Sequence, residues 1–533
     1  MLKIACPIAG DVARCAFIVC KHVLAIGLLL IPQWAAAQTL SPVSIKALAK
    51  EQGLKIGFAM TELDPFAPDP KLDTVFKSEA SVTTLLAYWY LPDVSVFDAE
   101  KNGSPMVGIG FNSTTVTSPG GTKSIEITPK YSFKYQIECL KYAKARGIEV
   151  HGHNLIWAQD RFTPPWVVTL LKDRPDLAGS LIKKHCAAVV GAFKGDITTW
   201  HVINEAYNWD GKLLESVWSR TTGTGFIESA FSAAAAADPN AKLLYNDYGL
   251  EEADPRKFQS VMTLVRTLKS KKIPIHGIGW QFHTSTDTIL DPKFDLEARM
   301  KAVQAEGLDN YITELDLTVP GAKLDAAGNP SAADLSRQAA AYRKVLEIFL
   351  RVKGISLQTW GVSDKKSWLG PKQFPLLFDS NYQPKPAYKE LRKALGDLSG
   401  KHMLVHPATG KAMMVVNTAT GPTLQTKSVV LNALPWPIGG DNPTVELVIE
   451  APGVYRIVSD RSSVQPVSAA ARSDVGLSTT ITQQTVQRWR FKPTTGNLCT
   501  VSNESTSYGM RPSSYRLGIE TAMFTTDSVW LVW

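Results

Sequence analysis

The chain is poor in the features that most readily reveal a function. Six cysteines occur in 533 residues, and Cys6, Cys15 and Cys20 lie close to the N-terminus. Cys139, Cys186 and Cys499 remain beyond it, an odd number that excludes a disulfide framework and leaves open one bridge between Cys139 and Cys186. No metal-ligand spacing of His, Cys, Asp or Glu occurs, nor a glycine-rich phosphate loop, nor a Ser or Cys nucleophile motif, so neither a metal nor a cofactor is expected. No Lys/Arg cluster carries interleaved aromatics, which argues against nucleic acid as a partner. Long apolar runs are also missing. The stretch Val23–Ile31 is too short to span a bilayer, and no membrane partner is expected for the mature form.

That short run has a function of its own. Lys3, Arg14 and Lys21 precede it, and Ala35-Ala-Ala37 offers a small-residue cleavage site before Gln38, so residues 1–37 read as a secretory signal peptide and the mature protein as secreted or periplasmic. The preceding Ala16-Phe-Ile-Val-Cys20 leaves an uncleaved anchor as the alternative. The formal charge of +8 loses two units with the leader, and the mature chain stays basic. This is compatible with an acidic polysaccharide and equally well explained by solubility. A monomer is expected.

A composition of 44% hydrophobic and 20% charged residues excludes disorder, and the length implies one large domain and a smaller one. Eight short β-branched or aromatic runs recur along the chain: Lys55–Met60, Ser81–Trp89, Glu149–Trp157, Thr199–Ala206, Lys242–Tyr248, Gly277–His283, Tyr311–Leu317 and Ser356–Asp364. They are nearly continuous in apolar character, as strands buried on both faces must be. Amphipathic segments lie between them, among them Tyr135–Arg146, Leu181–Phe193, Phe226–Ala237, Phe258–Ser270, Leu296–Glu306 and Asp334–Val352. Eightfold alternation predicts the α/β class, a (β/α)8 TIM barrel over residues 38–398, with a final helix starting at Lys385-Pro-Ala-Tyr388. Residues 101–130, rich in Gly, Ser and Thr, read as a loop or hairpin inserted after the second strand.

Two glutamates carry the chemistry. Glu205 ends Trp200-His-Val-Ile-Asn-Glu205 and Glu314 lies in Tyr311-Ile-Thr-Glu-Leu-Asp-Leu317, each in an apolar, strand-like run where an unpaired charge is costly to bury. A retaining glycosidase needs two carboxyls about 5 Å apart, one to attack the anomeric carbon and one to protonate the leaving oxygen. A barrel brings distant strand ends together, and these two would lie at the C-terminal ends of strands four and seven.

The motifs His151-Gly-His-Asn-Leu-Ile-Trp157, Trp200–Glu205, Leu244-Tyr-Asn-Asp-Tyr248, Gly277-Ile-Gly-Trp-Gln-Phe-His283, Ile312-Thr-Glu-Leu-Asp316, Thr359-Trp-Gly-Val-Ser-Asp364 and Ser367-Trp-Leu369 follow one another in an order that resembles glycoside hydrolase family 10, the endo-β-1,4-xylanases. The resemblance runs from about Lys55 to Leu395 and implies a retaining enzyme acting on a polysaccharide, with Glu314 as nucleophile and Glu205 as acid/base. It further implies that Asn204 bonds the sugar 2-hydroxyl, that His283 orients Glu314 and is held by Asp316, and that Trp360 and Trp368 are stacking platforms. His153, Trp157, Tyr248 and Gln281 would line the same cleft. Spacing adds that Gln281 and His283, two apart, and His153 and Trp157, four apart, each share a strand face. Taken alone, the two tryptophans read rather as core aromatics near a barrel mouth, and a single histidine is more often structural.

The chain also departs from that pattern. Ala158 stands where the family usually has a sugar-contacting histidine after the tryptophan, and the loop to Trp166 is lengthened. The family's Thr-Pro-Glu-Asn-X-Met-Lys-Trp segment aligns with Val82-Thr-Thr-Leu-Leu-Ala-Tyr-Trp89, so Thr84, Leu85 and Tyr88 replace three polar ligands. Each lost hydrogen bond to a buried hydroxyl costs roughly 1–3 kcal/mol. Three readings follow: a weakened xylanase, a glycosidase for a substituted or different polysaccharide such as a bacterial exopolysaccharide, or a non-catalytic polysaccharide-binding protein. The intact acid and nucleophile favour the enzymes. After Ser399-Gly400 the composition turns to Val, Thr and Ser, and residues 399–533 read as an all-β module. Three loosely similar segments within it resemble a ricin-type β-trefoil, with a β-sandwich as the alternative, serving either to bind carbohydrate or to cap the barrel.

Overall fold

The structure, a computed structural model, describes residues 43–87, 108–117, 123–326 and 328–397 and, from 400 onward, the backbone of paired strands. The leader expected over residues 1–37, and the side chains of Tyr88 and Trp89, lie outside the described residues. Eight strands form the barrel: β1 (Lys55–Ala59), β2 (Val82–Leu86), β3 (Glu149–Trp157), β4 (Thr199–Asn204), β5 (Lys242–Asp247), β6 (Gly277–Trp280), β7 (Asp309–Thr318) and β8 (Ser356–Thr359). Each pairs in parallel with the next, and β8 pairs with β1, so the sheet closes on itself and has no open edge. This is the (β/α)8 architecture that the alternating pattern predicts.

The helices follow the strands. Lys134–Lys144, Ala178–Ala192, Gly225–Ala237, Arg256–Ser270, Leu296–Ala305, Ala332–Arg351 and Pro386–Ala394 lie where the amphipathic segments and the final helix are read from sequence. The sequence reading assigns no helix between the first two strands, yet Pro70–Glu79 is one. Asp69 caps it, Pro70 opens it, and Leu72, Val75 and Phe76 bury its inner face. The expected insertion is a two-stranded hairpin, Gly108–Thr117 against Lys123–Ser132. Beyond the barrel the strands pair antiparallel, the longest hairpin joining Lys411–Thr418 to Gly421–Ser428. Cys139 and Cys186 are buried and free, so the bridge left open by the sequence is not formed.

The barrel interior is unusually polar for a core. Thr84 Oγ1 donates to Gln358 Oε1 at 3.0 Å, and Gln358 Nε2 meets His151 Nδ1 at 3.1 Å. Glu62 bridges the chain after β1 and the chain after β8: Oε1 accepts from the amides of Val362 and Ser363, both at 2.7 Å, and Oε2 from Ser363 Oγ at 2.9 Å. Buried groups satisfied in this way fix the relative heights of the strand ends on which a site is built.

Gly279 on β6 shows how tightly that interior is set. A Cβ there would lie 2.2 Å from Asn246 Oδ1, so the asparagine seat exists only because β6 carries no side chain at that point. Gly279→Ala is expected to lower stability by about 1–3 kcal/mol, the usual cost of overpacking, read as a lower urea midpoint at unchanged m-value. Gly179→Ala, on an open helical surface, is expected to leave the midpoint unchanged or higher.

Candidate active site

Glu205 and Glu314 reach one cleft from β4 and β7, as the barrel predicts. Glu205 follows the last residue of β4 with φ at +57°, a conformation that few non-glycine residues adopt, and is 9% exposed. The turn is pinned on both sides, since Glu205 N–H donates to Asn246 O at 3.0 Å and Ala206 N–H to Tyr245 Oη at 3.1 Å. Four donors then meet the carboxyl. Trp157 Nε1 at 2.9 Å and Gln159 Nε2 at 2.6 Å reach Oε2, while Asn204 Nδ2 and Gln281 Nε2, each at 3.1 Å, reach Oε1.

Glu314 has different company. Its Oε1 accepts from Asn246 Nδ2 at 2.6 Å, and its Oε2 lies 3.1 Å from His283 Nε2. The other imidazole nitrogen, Nδ1, meets Asp316 Oδ2 at 2.9 Å, and Trp368 Nε1 donates to that same oxygen at 2.8 Å. A histidine with a carboxylate on each nitrogen can satisfy both only as the imidazolium. Burial opposes that charge, yet Asp316 and Glu314 together raise the His283 pKa well above its ordinary value.

The two carboxyls are driven apart in protonation. Burial, and then the charge of Asp247, raise the Glu205 pKa to about 7 against the pull of the Trp157 and Gln281 hydrogen bonds. Burial would also raise Glu314, but the fields of His153 and His283 and the hydrogen bonds from His283 and Asn246 outweigh it, and the group is held below the ordinary carboxylate value. Burial takes the His153 pKa down to about 4, so at neutral pH the positive charge beside Glu314 is that of His283. Such a pair, one carboxyl holding its proton and the other ionised, can protonate and attack in a single step.

The other residues singled out by sequence gather around this pair. Asn204 Oδ1 accepts from Asn246 Nδ2 at 2.8 Å and from Gln281 Nε2 at 3.0 Å, so amides tie the two carboxyls into one network. Trp360 is nearly buried, packed on Ala59, Leu86 and Trp157 with its edge toward His153. Trp368 is 60% exposed yet held by Asp316, which makes it the open aromatic face of the cleft. Tyr248 is half-buried, with the Lys257 ammonium 3.3 Å from its ring centre.

One spacing argument fails in detail although its residues arrive. Gln281 and His283 do not share one strand: β6 ends at Trp280, Phe282 turns to φ +60°, and His283 opens a separate short strand paired with β7. Gln281 consequently faces Glu205 while His283 faces Glu314. His153 and Trp157 do share a side, their rings meeting edge to face at 6.2 Å, although a register shift in β3 lies between them.

Sequence reasoning missed Asn246, Gln159 and Asp247. Asn246 and Asp247 lie inside the Leu244–Tyr248 motif, and alternation along β5 puts Asn246 on the face of Tyr248, which would have found it. Gln159 lies past the strand, where no periodicity points. One group of metal-ligand type occurs among the described residues, His153, His201 and Glu314, with ligand atoms within 4.8 Å of one another. The two histidine Nδ1 atoms stand 2.8 Å apart, a hydrogen-bond separation shorter than the roughly 3.3 Å between ligands of a tetrahedral ion, so the geometry fits a shared proton.

Known proteins resemble this chain in sequence and fold. The pattern of glycosyl hydrolase family 10 matches residues 98–394. An endo-1,4-beta-xylanase B of Thermotoga neapolitana is 33% identical over 318 residues, 58% of this chain and 86% of that protein. A beta-1,4-xylanase of Dictyoglomus thermophilum is 37% identical over 299 residues, 53% of this chain and 82% of that one. Native xylanase 10B of Thermotoga maritima superposes with a TM-score of 0.52 at 28% identity, over 66% of this chain and 98% of its own. Matched over more than half its length and carrying both carboxyls in a barrel of the same kind, the chain belongs to glycosyl hydrolase family 10 and is a glycoside hydrolase.

Proposed function

We propose that the protein cuts β-1,4-linked xylan internally by double displacement, with Glu314 as nucleophile and Glu205 as acid/base. The observation that carries this reading is the opposed titration of the two carboxyls within one hydrogen-bond network. Glu314, ionised beside the His283 imidazolium, attacks the anomeric carbon. The bond to the leaving oxygen breaks as the Glu205 proton moves onto that oxygen, leaving a glycosyl ester on Glu314. Water then attacks the same carbon, Glu205 takes its proton, and the ester bond breaks to return Glu314 as a carboxylate. The xylanase names of the relatives support xylan as the polymer. The leader over residues 1–37 belongs to the same proposal, since a polymer outside the cell has to be met there.

The grip on the sugar differs from what that polymer alone would need. Thr84 spends its hydroxyl on Gln358, Leu85 is fully buried and Ala158 is apolar, so β2 and the residue after Trp157 bring no polar ligand to the cleft. Turnover of unsubstituted xylan is therefore expected to be low relative to a substituted polymer.

Mass spectrometry of oligosaccharides released from xylan tests the reading. The wild type is expected to release a ladder and Glu314→Ala none; release by both, or by neither on any β-1,4-xylan, overturns it. Glu205→Ala is expected to lose about 10²–10⁴ in kcat on xylan and far less on an aryl glycoside whose leaving group needs no proton. The pH profile of kcat/KM follows from the shifts. Glu205 must hold its proton, so activity falls as pH rises through about 7, and it falls on the acid side, below the ordinary carboxylate value, as Glu314 takes one. Because the Asp247 anion opposes ionisation of Glu205, Asp247→Asn is expected to move the alkaline limb to lower pH.

A further inference from the structure

The loop that leaves β3 is held rigidly by groups that take no part in the chemistry above. Asp160 is fully committed, its Oδ1 accepting the Val217 N–H at 2.5 Å and its Oδ2 pairing with Arg220 at 2.6 Å. Thr163 Oγ1 donates to Gln159 O at 3.0 Å and accepts from Trp218 Nε1 at 3.0 Å. These pins fix the single turn Asp160–Phe162 against the helix Val217–Thr222 and lay Phe162 flat on Trp157, with ring centres 3.6 Å apart and planes at 16°.

The turn carries Arg161 into the cleft. Its guanidinium lies 4.6 Å from the Phe162 ring centre, and its Nε donates at 2.8 Å to Gln159 Oε1, whose own Nε2 holds Glu205. It stands two hydrogen bonds from the acid, and its charge reaches Tyr248 on the other wall, pulling that phenol down against the burial that raises it to about 12. Other solvent-accessible arginines are paired: Arg220 with Asp160, Arg256 with Asp254 and Arg174 with Asp176. Among the described residues, no carboxylate pairs with Arg161, and its two terminal nitrogens have no protein acceptor. The nearest carboxyl of its own loop, Asp160, is already paired, and Glu205 holds its proton below about pH 7.

We propose that Arg161 forms a subsite for a substrate carboxylate, that of a hexuronic acid side group on the xylan chain, seated beside Glu205. The proposal rests on the reading of the site as a xylan-cleaving one. The guanidinium is oriented in advance by the Phe162 face and the Gln159 bond, so little side-chain freedom is lost when its terminal fork meets a carboxylate. Such a contact restores to the cleft a polar anchor of the kind that Thr84, Leu85 and Ala158 no longer supply. It also suits a basic chain acting on an acidic polymer.

A matched pair of polymers tests it: glucuronoxylan, and the same preparation with its carboxyls chemically reduced to alcohols. The wild type is expected to favour the acidic form by about tenfold in kcat/KM, with the preference shrinking toward unity in 0.5 M NaCl, as a partly exposed charge-assisted contact requires. The ratio is expected to fall to near one in Arg161→Gln and to survive in part in Arg161→Lys. Using the ratio removes any general loss of activity caused by loosening Gln159. Equal rates on both polymers by the wild type, or an undiminished ratio in Arg161→Gln, overturns the subsite while leaving the xylanase reading intact. Failure to cut either polymer overturns that reading and the subsite with it.

Discussion

Everything at this site depends on keeping two buried carboxyls in different protonation states within one cavity, and the side-chain amide of Asn246 is where that constraint is met. Its Nδ2 donates to Glu314 Oε1 and to Asn204 Oδ1, while its Oδ1 takes the Thr313 hydroxyl at 2.7 Å. An amide is suited to this position because it carries no charge of its own and can donate and accept at once. A carboxylate in its place would repel Glu314, and an apolar residue would strand both Glu314 and Asn204. The asymmetry then comes from further out. His283, clamped between Glu314 and Asp316, puts a positive charge on one side, and Asp247 puts a negative charge on the other.

The Asp247 charge is itself maintained. Burial opposes it, and it is met by Lys257 at 2.7 Å, both groups being almost wholly buried, and by the Tyr245 hydroxyl at 2.5 Å. That hydroxyl also receives the Ala206 N–H, immediately after the left-handed Glu205. A backbone held in that region costs on the order of 1–3 kcal/mol and persists only where its surroundings over-determine it. Here the group that raises the Glu205 pKa is bonded to the group that pins the Glu205 turn. Geometry and electrostatics of Glu205 have a common support, so a change at Asp247 disturbs both.

The barrel was legible because its strands are buried on both faces, which gives apolar runs with no competing explanation, and because amphipathic segments separate them. The two carboxyls were legible for the complementary reason, as charges placed where burial is expensive. What sequence pattern could not supply were the interruptions. Strand alternation assumes an unbroken pleat, and the left-handed Phe282 and the shift in β3 break it at the points where the site is assembled. Gln281 and His283 accordingly serve different carboxyls, although their spacing suggests a common face. Gln159 was invisible because a loop has no period, and the Lys257–Asp247 pair because a lysine on an amphipathic helix reads as a solvated face. The helix Pro70–Glu79 is the opposite case, with its signals present in Asp69-Pro70 and the apolar spacing behind them.

The departures in β2 and after Trp157 are coherent with the rest of the site when read by what each residue holds. The network around Glu205 and Glu314 is complete without them: Trp157, Gln159, Asn204 and Gln281 satisfy one carboxyl, and Asn246 and His283 the other. Thr84 faces the barrel interior, where it joins the Gln358–His151 chain that packs beneath the cleft, and Leu85, fully buried, points from the opposite face of the strand. As residues of the core, Thr84 and Leu85 therefore leave the hydrogen-bond network of Glu205 and Glu314 in place. The loop bearing Arg161 and Phe162 is tied through Gln159 to Glu205, which couples any new contact on that side directly to that carboxyl.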